Sequence, residues 1–271
     1  MKICVVNIIP VPAEYLAGSV ANIENCCRPV LNADTELHFR APKTGLTLGI
    51  GGMEYHRNPY YEHLLSGAVT DTIAAADREG FDAFVINCFD DPGLKQARSL
   101  VETPVFGLVE PTFHWAMGLG AKFGALVPDM PGQVSYVTRQ IEQLGLGHRL
   151  IANGVRAEPK RFVDSFGEAL TDTRPMIERL KEQARAMVDE GADFIVIACG
   201  GLGQIAGNAG WHALEYKGAL IPVVNPLTTA VKTAEMSVAM GKGLGYQIPS
   251  RVYAGTRLSP EDFQRFRGAF H

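Results

Sequence analysis

Phe84-Val85-Ile86-Asn87-Cys88 and Ile195-Val196-Ile197-Ala198-Cys199 decide the fold of this chain. Each closes a longer phrase. The first runs Glu79-Gly80-Phe81-Asp82-Ala83 into its cysteine, and the second runs Glu190-Gly191-Ala192-Asp193-Phe194 into its own. Glu, Gly, Asp, Val, Ile and Cys recur at a constant offset of 111 residues, the separation of Cys88 from Cys199. Short, unbroken apolar runs suit strands covered on both faces, as in parallel sheets. A repeat over this distance implies two similar half-proteins, each with a thiol at the carboxyl end of a buried strand.

Outward from these strands, strand-like and helix-like segments alternate, the pattern of an α/β fold with parallel sheets. Strands are expected over 2–7, 36–39, 83–88, 104–109, 123–127, 194–199 and 221–224. Helices are expected over 60–79, 92–100, 132–144, 174–190 and 228–240. The order around each cysteine repeats too: a long helix, the cysteine strand, then a strand opening on Pro104-Val105 or Pro222-Val223. We place one lobe at 1–113 plus 227–271 and the other at 114–226. The glycine-rich stretch 42–59, with Lys43 and Arg57, reads either as an ordered loop near the cleft or as a plain surface loop.

The totals exclude several classes. At 271 residues the chain can bury a sizeable core. A net charge of −4 and no basic run argue against nucleic acid and anionic membranes. No apolar stretch approaches the roughly 20 residues that span a bilayer. Asn7 interrupts the first apolar run too early for a signal-peptide core. Five cysteines (Cys4, Cys26, Cys27, Cys88, Cys199) without regular spacing suggest reduced thiols and a cytoplasmic protein. Adjacent Cys26 and Cys27 read as small buried residues of a helix. No CxxC, HxH or HExxH is present, so no metal is expected. No dinucleotide or phosphate-loop motif is present, so no cofactor is expected either.

Ligands of open α/β sheets bind outside the carboxyl ends of the strands. Cys88 and Cys199 fall there, with helices expected to begin near Pro92 and Gln204. Helix N-termini would favour a thiolate and lower its pKa from about 8.5 toward that of a working base. Gly93, Gly200 and Gly201 would let the backbone approach a small ligand. One such cysteine reads as a small hydrophobe closing a strand. A matched pair reads as chemistry: one thiolate takes a proton from carbon, and a thiol on the opposite face returns one. Backbone N–H groups would steady the enolate between the two steps.

At these residues the chain resembles the aspartate/glutamate racemase superfamily, and most closely its hydantoin and allantoin racemase branch. Cys88-Phe89-Asp90-Asp91-Pro92-Gly93-Leu94 is similar to that branch's Cys-Phe-x-Asp-Pro-Gly-Leu signature, with Arg98 and Pro104-Val105-Phe106-Gly107 following as there. Cys199-Gly200-Gly201-Leu202 corresponds to Cys-Ala-Gly-Met, Ile221-Pro222-Val223-Val224-Asn225 to a Pro-Val-Ile-Asp segment, and Ala230-Val231-Lys232-Thr233-Ala234-Glu235 to Ala-Val-Lys-x-Ala-Glu. The resemblance implies two pseudo-symmetric Rossmann-like lobes, an active site in the cleft between them, and Cys88 and Cys199 as the acid/base pair. It draws Asn7, Phe89, Asp91, Pro128, Gly200, Gly201 and Asn225 to the substrate. The expected function is cofactor-independent racemisation of a hydantoin-like cyclic amide or ureide, by a homo-oligomer with a small-molecule substrate as its partner.

Departures from the branch bear on the substrate. Asn-Pro-Asn-Thr-Ser after the first strand is here Asn7-Ile8-Ile9-Pro10-Val11, and the second lobe's turn is Val127-Pro128-Asp129 where Thr is common. Both cradles lose hydroxyl donors, and Asn225 replaces an acid. An unpaired polar substrate group would be costly there, so an apolar or bulky side chain is expected. Alternatives are a maleate-type isomerase, an Asp/Glu-type amino-acid racemase, and a binding protein without turnover. Among other residues, Glu110-Pro111 reads as a linker capping the next helix and Asp91 as a cap for a helix starting at Pro92. His114 is weighed as a pocket proton donor against a structural role. Tyr60-Tyr61 match paired tyrosines of the allantoin racemase relatives.

Overall fold

The structure is a computed structural model that describes residues 1–46, 55–246 and 258–270. In the first lobe, β1 (Lys2–Val6), β2 (Glu36–Arg40), β3 (Ala83–Ile86) and β4 (Val105–Phe106) form a parallel sheet in the order β2-β1-β3-β4. Helices α1 (Ala13–Cys27), α2 (Pro59–Ala76), α3 (Leu94–Leu100) and α4 (Val109–Ala116) connect or follow these strands. In the second, β5 (Phe123–Asp129), β6 (Leu150–Arg161), β7 (Phe194–Ile197), β8 (Ala213–Tyr216) and β9 (Ala219–Val224) lie in the order β6-β5-β7-β9-β8. All pairs there are parallel except β8 with β9, which form an antiparallel edge hairpin. Between them run α5 (Gln133–Gln143), α6 (Phe162–Ala169), α7 (Arg174–Asp189) and α8 (Gly200–Asn208). The chain continues through α9 (Pro226–Leu244) and α10 (Pro260–Phe270).

Every residue of β3 and β7 is buried, which is why both read as unbroken apolar runs. Alternation then assigns their faces. Phe84 and Ile86 point to Val69 and Ile73 of α2, and Ile195 and Ile197 to Leu180 and Met187 of α7. Ala83 and Val85 share one central core with Val196, Ala198 and the α9 residues Leu227, Ala230 and Val231. An aromatic ladder threads this core from Phe89 to Phe113, Phe123 and Phe194, with ring centroids 5.9, 5.5 and 5.5 Å apart. Burying each ring is worth up to about 3 kcal/mol. The lobes are therefore fused by a common interior. Helix α9 starts at the end of β9 and packs on α4, β3 and β1.

Three expectations are corrected. The strand over 104–109 is only Val105–Phe106, because the chain bends at Gly107 and enters α4 at Val109. β6 and β8, unassigned from sequence, are edge strands whose half-exposed residues give no apolar run. β8 also makes the second sheet mixed. Among the described residues, no helix is long and apolar enough to cross a membrane.

Candidate active site

Cys88 and Cys199 lie just beyond the carboxyl ends of β3 and β7, both half-buried and free. The strand ends abut each other. A Cβ built on Gly200 would stand 3.0 Å from Asn87 Oδ1 and 3.1 Å from the Asn87 carbonyl oxygen, so only glycine leaves this approach open. Cys199 is itself the N-cap of α8, which starts at Gly200 rather than near Gln204. The backbone N–H groups of Leu202 and Gly201 therefore turn toward Sγ and favour its thiolate. Phe166 lies across Gly201, its Cζ 2.9 Å from where a Cβ would sit.

The chain after Cys88 does not enter a helix at once. It turns through Asp91 at φ +49° and Gly93 at φ +75°, and α3 begins at Leu94, two positions beyond Pro92. A Cβ on Gly93 would come within 2.7 Å of the Ser66 carbonyl oxygen. Asp91 caps α4 rather than α3: its carboxylate accepts the N–H groups of Leu108 at 2.6 Å and Val109 at 3.3 Å. Burial nevertheless lifts this carboxyl from 3.8 to about 7, against those two hydrogen bonds. Glu110 does not cap α4. It pairs with Arg98 at 3.1 Å.

Beside Cys88 stands a cluster that the sequence did not disclose. Its Sγ lies 3.7 Å from Asp90 Oδ2 and 3.9 Å from His56 Nε2, and those two atoms are 2.5 Å apart. Arg57 bonds the same Asp90 oxygen, donates to Gln133 Oε1 at 3.1 Å and Glu62 Oε1 at 2.9 Å, and stacks 3.8 Å over the Tyr136 ring. Gln133 and Tyr136 belong to α5, so the cluster ties the lobes together. The described end of stretch 42–59 is thus an ordered segment against Cys88, while 47–54 lie outside the described residues. Two signals were available: Asp90 stood within the quoted signature, directly after Phe89, and Arg57 stood in a stretch read as a possible ordered loop near the cleft.

The thiols are not activated as expected. Burial lifts Cys199 from 9.0 to about 11, and its two N–H donors only partly offset this. Burial also pushes Cys88 well above its ordinary value; the Asp90 carboxylate adds to the push, and negative charge on Cys199 adds more. Against the cost of burial, His56 and Arg57 hold the Asp90 carboxyl below its usual range. His56, Cys88 and Asp90 bring nitrogen, sulfur and oxygen atoms within 4.8 Å of one another, a set of metal-ligand types. The donor set fits a cation poorly, because the Arg57 guanidinium already occupies the Asp90 oxygen that would ligate.

Other expected site residues divide. Asn7 is half-buried near the first strand end, its Nδ2 donating to the Ile9 carbonyl at 3.1 Å. Phe89 is corrected to a core residue in the aromatic ladder, 2 % exposed. Pro128 is buried within β5, its carbonyl accepting the Met130 N–H. Asn225 is corrected to a structural cap. Its Oδ1 accepts the N–H groups of Leu227 and Thr228, and its Nδ2 donates to the Gly203 carbonyl at 2.6 Å. Tyr61 packs edge-on against His56, whereas Tyr60 and His114 face solvent. A cavity of about 630 Å³ opens at the ends of β5 and β6, lined by Tyr55, Met130, Phe162 and Val163 with Asp129 and Arg161. Phe162 packs on Phe166 with ring centroids 4.2 Å apart and planes tilted by 42°, which makes an aromatic wall from this cavity to Gly201.

Comparison with known proteins adds to this geometry. The profile of the family described as Asp/Glu/Hydantoin racemase matches residues 49–234. A hydantoin racemase of Pseudomonas sp. (strain NS671) is 30 % identical over 243 residues, spanning 89 % of this chain and 88 % of that one. A hydantoin racemase of Paenarthrobacter aurescens is 29 % identical over 260 residues, 92 % of this chain and 98 % of the relative. Among solved structures, the allantoin racemase from Klebsiella pneumoniae aligns with a TM-score of 0.69 at 22 % identity, covering 96 % of this chain and 97 % of the other.

Proposed function

Since this chain belongs to the Asp/Glu/hydantoin racemase family and is a racemase, we propose that it racemises a hydantoin-like cyclic amide or ureide, with Cys88 and Cys199 exchanging protons on opposite faces of one carbon. The observation that carries this reading is the apposition of two matched strand ends at the Asn87–Gly200 contact, each with a half-buried free thiol.

Two-base racemisation needs one thiolate and one thiol at a time. Burial and mutual repulsion both oppose a second ionisation, so the pair holds on to one proton as a unit. The thiolate removes the carbon-bound proton, the electron pair moves into the adjacent carbonyl as an enolate, and the opposite thiol delivers its proton to the carbon. Afterwards the first cysteine is the thiol and the second the thiolate. The α8 N-terminus supplies N–H groups on the Cys199 side. The aromatic wall of Phe162 and Phe166 supports a substrate with an apolar or bulky substituent.

The test is proton NMR in heavy water with enantiopure 5-substituted hydantoins, following the C5 signal. The expected result is exchange and racemisation above the uncatalysed rate, highest for aliphatic and aromatic substituents and lost in Cys88→Ser or Cys199→Ser. Absence of exchange across the panel, or a best substrate that is free aspartate or glutamate, would overturn the reading.

A further inference from the structure

Asn87 directly precedes Cys88 and is 7 % exposed. Its main chain is committed, the N–H donating to the Val6 carbonyl at 2.8 Å. Its side-chain amide has no hydrogen bond among the described residues, and Oδ1 is enclosed without a partner. Buried amides are almost always paired, since leaving one unpaired costs free energy on folding. This one faces the second lobe: its Oδ1 lies against Gly200, the first residue of the helix that Cys199 caps. It therefore sits at the contact between the two thiol-bearing strand ends. The matched position in the repeat is Ala198, fully buried in the shared core. The fold asks only for a small apolar residue there, so the amide answers some other demand.

We infer that Asn87 is a substrate-binding residue whose carboxamide pairs with the –CO–NH– edge of a ring held between the thiols. A turn of the amide away from Gly200, where Oδ1 is enclosed, brings Oδ1 to accept the ring N–H while Nδ2 donates to the neighbouring ring carbonyl. This rests on the racemase reading of the same cleft and deepens it, naming the feature recognised as a cis amide. A carboxamide and a cis amide each present one donor beside one acceptor, the complementarity by which Asn reads adenine. A carboxylate presents only acceptors and would leave Oδ1 facing like charge, so the site discriminates against open-chain acids. His56 Nδ1 and Asp90 Oδ1 are also unpartnered beside Cys88. Both of their side chains are already engaged in the Arg57 cluster. Among these three described residues beside the thiols, Asn87 alone has a side chain with no partner.

The experiment compares the parent, Asn87→Ala and Asn87→Asp on one 5-substituted hydantoin and its ring N-methyl derivatives, recording KM and kcat for C5 exchange, and by calorimetry the binding of hydantoin and succinimide. The expected result is at least a tenfold rise in KM for Asn87→Ala with kcat changed less. The penalty should vanish on the derivative whose methyl group removes the N–H that Oδ1 accepts. Asn87→Asp should weaken cyclic-amide binding too, since it keeps the acceptor and loses the donor. A merely structural role would lower activity equally on all substrates and lower the melting temperature with it; that result overturns the inference. Turnover and binding unchanged in Asn87→Ala also overturn it, and leave the hydantoin reading standing. Cyclic-amide binding that depends on Asn87 without turnover supports the inference while the hydantoin reading falls. If the parent neither binds nor turns over any cyclic amide, both fall.

Discussion

Cys88 and Cys199 close matching strands, but their surroundings differ in charge. At Cys199 the chain passes straight into α8, so the N–H groups of Gly201 and Leu202 point at the sulfur. At Cys88 the chain makes a five-residue turn first, and helix α3 starts too far away to offer its N-terminus. The space is taken by Asp90, whose carboxylate opposes a thiolate there, while its own backbone N–H and the Arg57 guanidinium favour one. The duplicated strand is therefore only a frame. Both cysteines rest as thiols near neutral pH, and the residues after each make Cys199 the more readily ionised of the two. A two-base racemase gains from such a bias, because the pair must hold one proton between uses.

Replacing either cysteine tests whether both ends of this comparison matter. Cys88→Ser and Cys199→Ser should each lower racemisation by roughly 10²- to 10⁴-fold, the worth of a positioned acid or base. A variant that kept near-parental kcat would show that its strand end is scaffold alone. Next in size is the cluster peculiar to the first end. Asp90→Ala leaves Arg57 and His56 without their buried partner and should cost about 3–5 kcal/mol in urea unfolding. A loss below about 1 kcal/mol would mean the cluster is solvated and does not clasp the lobes.

The bias itself is read by pH. With Cys199 at about 11, its thiolate is about one part in a thousand at pH 8 and grows tenfold per pH unit. Rates of alkylation by iodoacetamide, followed by peptide mass spectrometry, should rise on that slope past pH 9, with Cys199 ahead of Cys88 throughout. Equal rates would erase the difference between the two ends. The same shift acts on stability. A thiol whose folded value is raised favours the fold fully below its unfolded value of 9.0 and loses that contribution as pH climbs toward about 11. Parental protein should therefore unfold at lower urea at pH 10.5 than at pH 8.5, and Cys199→Ser should show less of this decline.

The frame was legible in the sequence and its bias was not. Strands buried on both faces announce themselves as apolar runs, and the repeat located both thiols. β6 escaped because it is an edge strand with polar residues along half its length and Asn153 at φ +50° interrupting its alternation. His56, and the place of Arg57 at the Cys88 turn, escaped for a different reason. They gain meaning only when a segment more than thirty positions upstream in sequence folds against the Cys88 turn, and no local pattern encodes that contact. Asn87 was in plain view as the one polar residue set against an alanine in the repeat. That its amide is unpaired depends on contacts with the second lobe that no local pattern encodes.

The smallest effect concerns what holds the favoured thiolate in place. Asn225 ends β9 beside β7, caps α9 with Oδ1 and reaches back through Nδ2 to the Gly203 carbonyl of α8. Removing it should cost about 1–2 kcal/mol, the usual worth of such a cap. The amides that face Cys199 belong to Gly201 and Leu202, at the very start of α8, and are fixed by the turn out of β7 and by Phe166 lying across Gly201. Asn225→Ala should accordingly lower the unfolding midpoint while leaving the Cys199 alkylation profile and KM unchanged. If Cys199 slowed toward the rate of Cys88 instead, the bias would depend on how α8 is braced by α9, and the difference between the two ends would be a property of the whole second lobe.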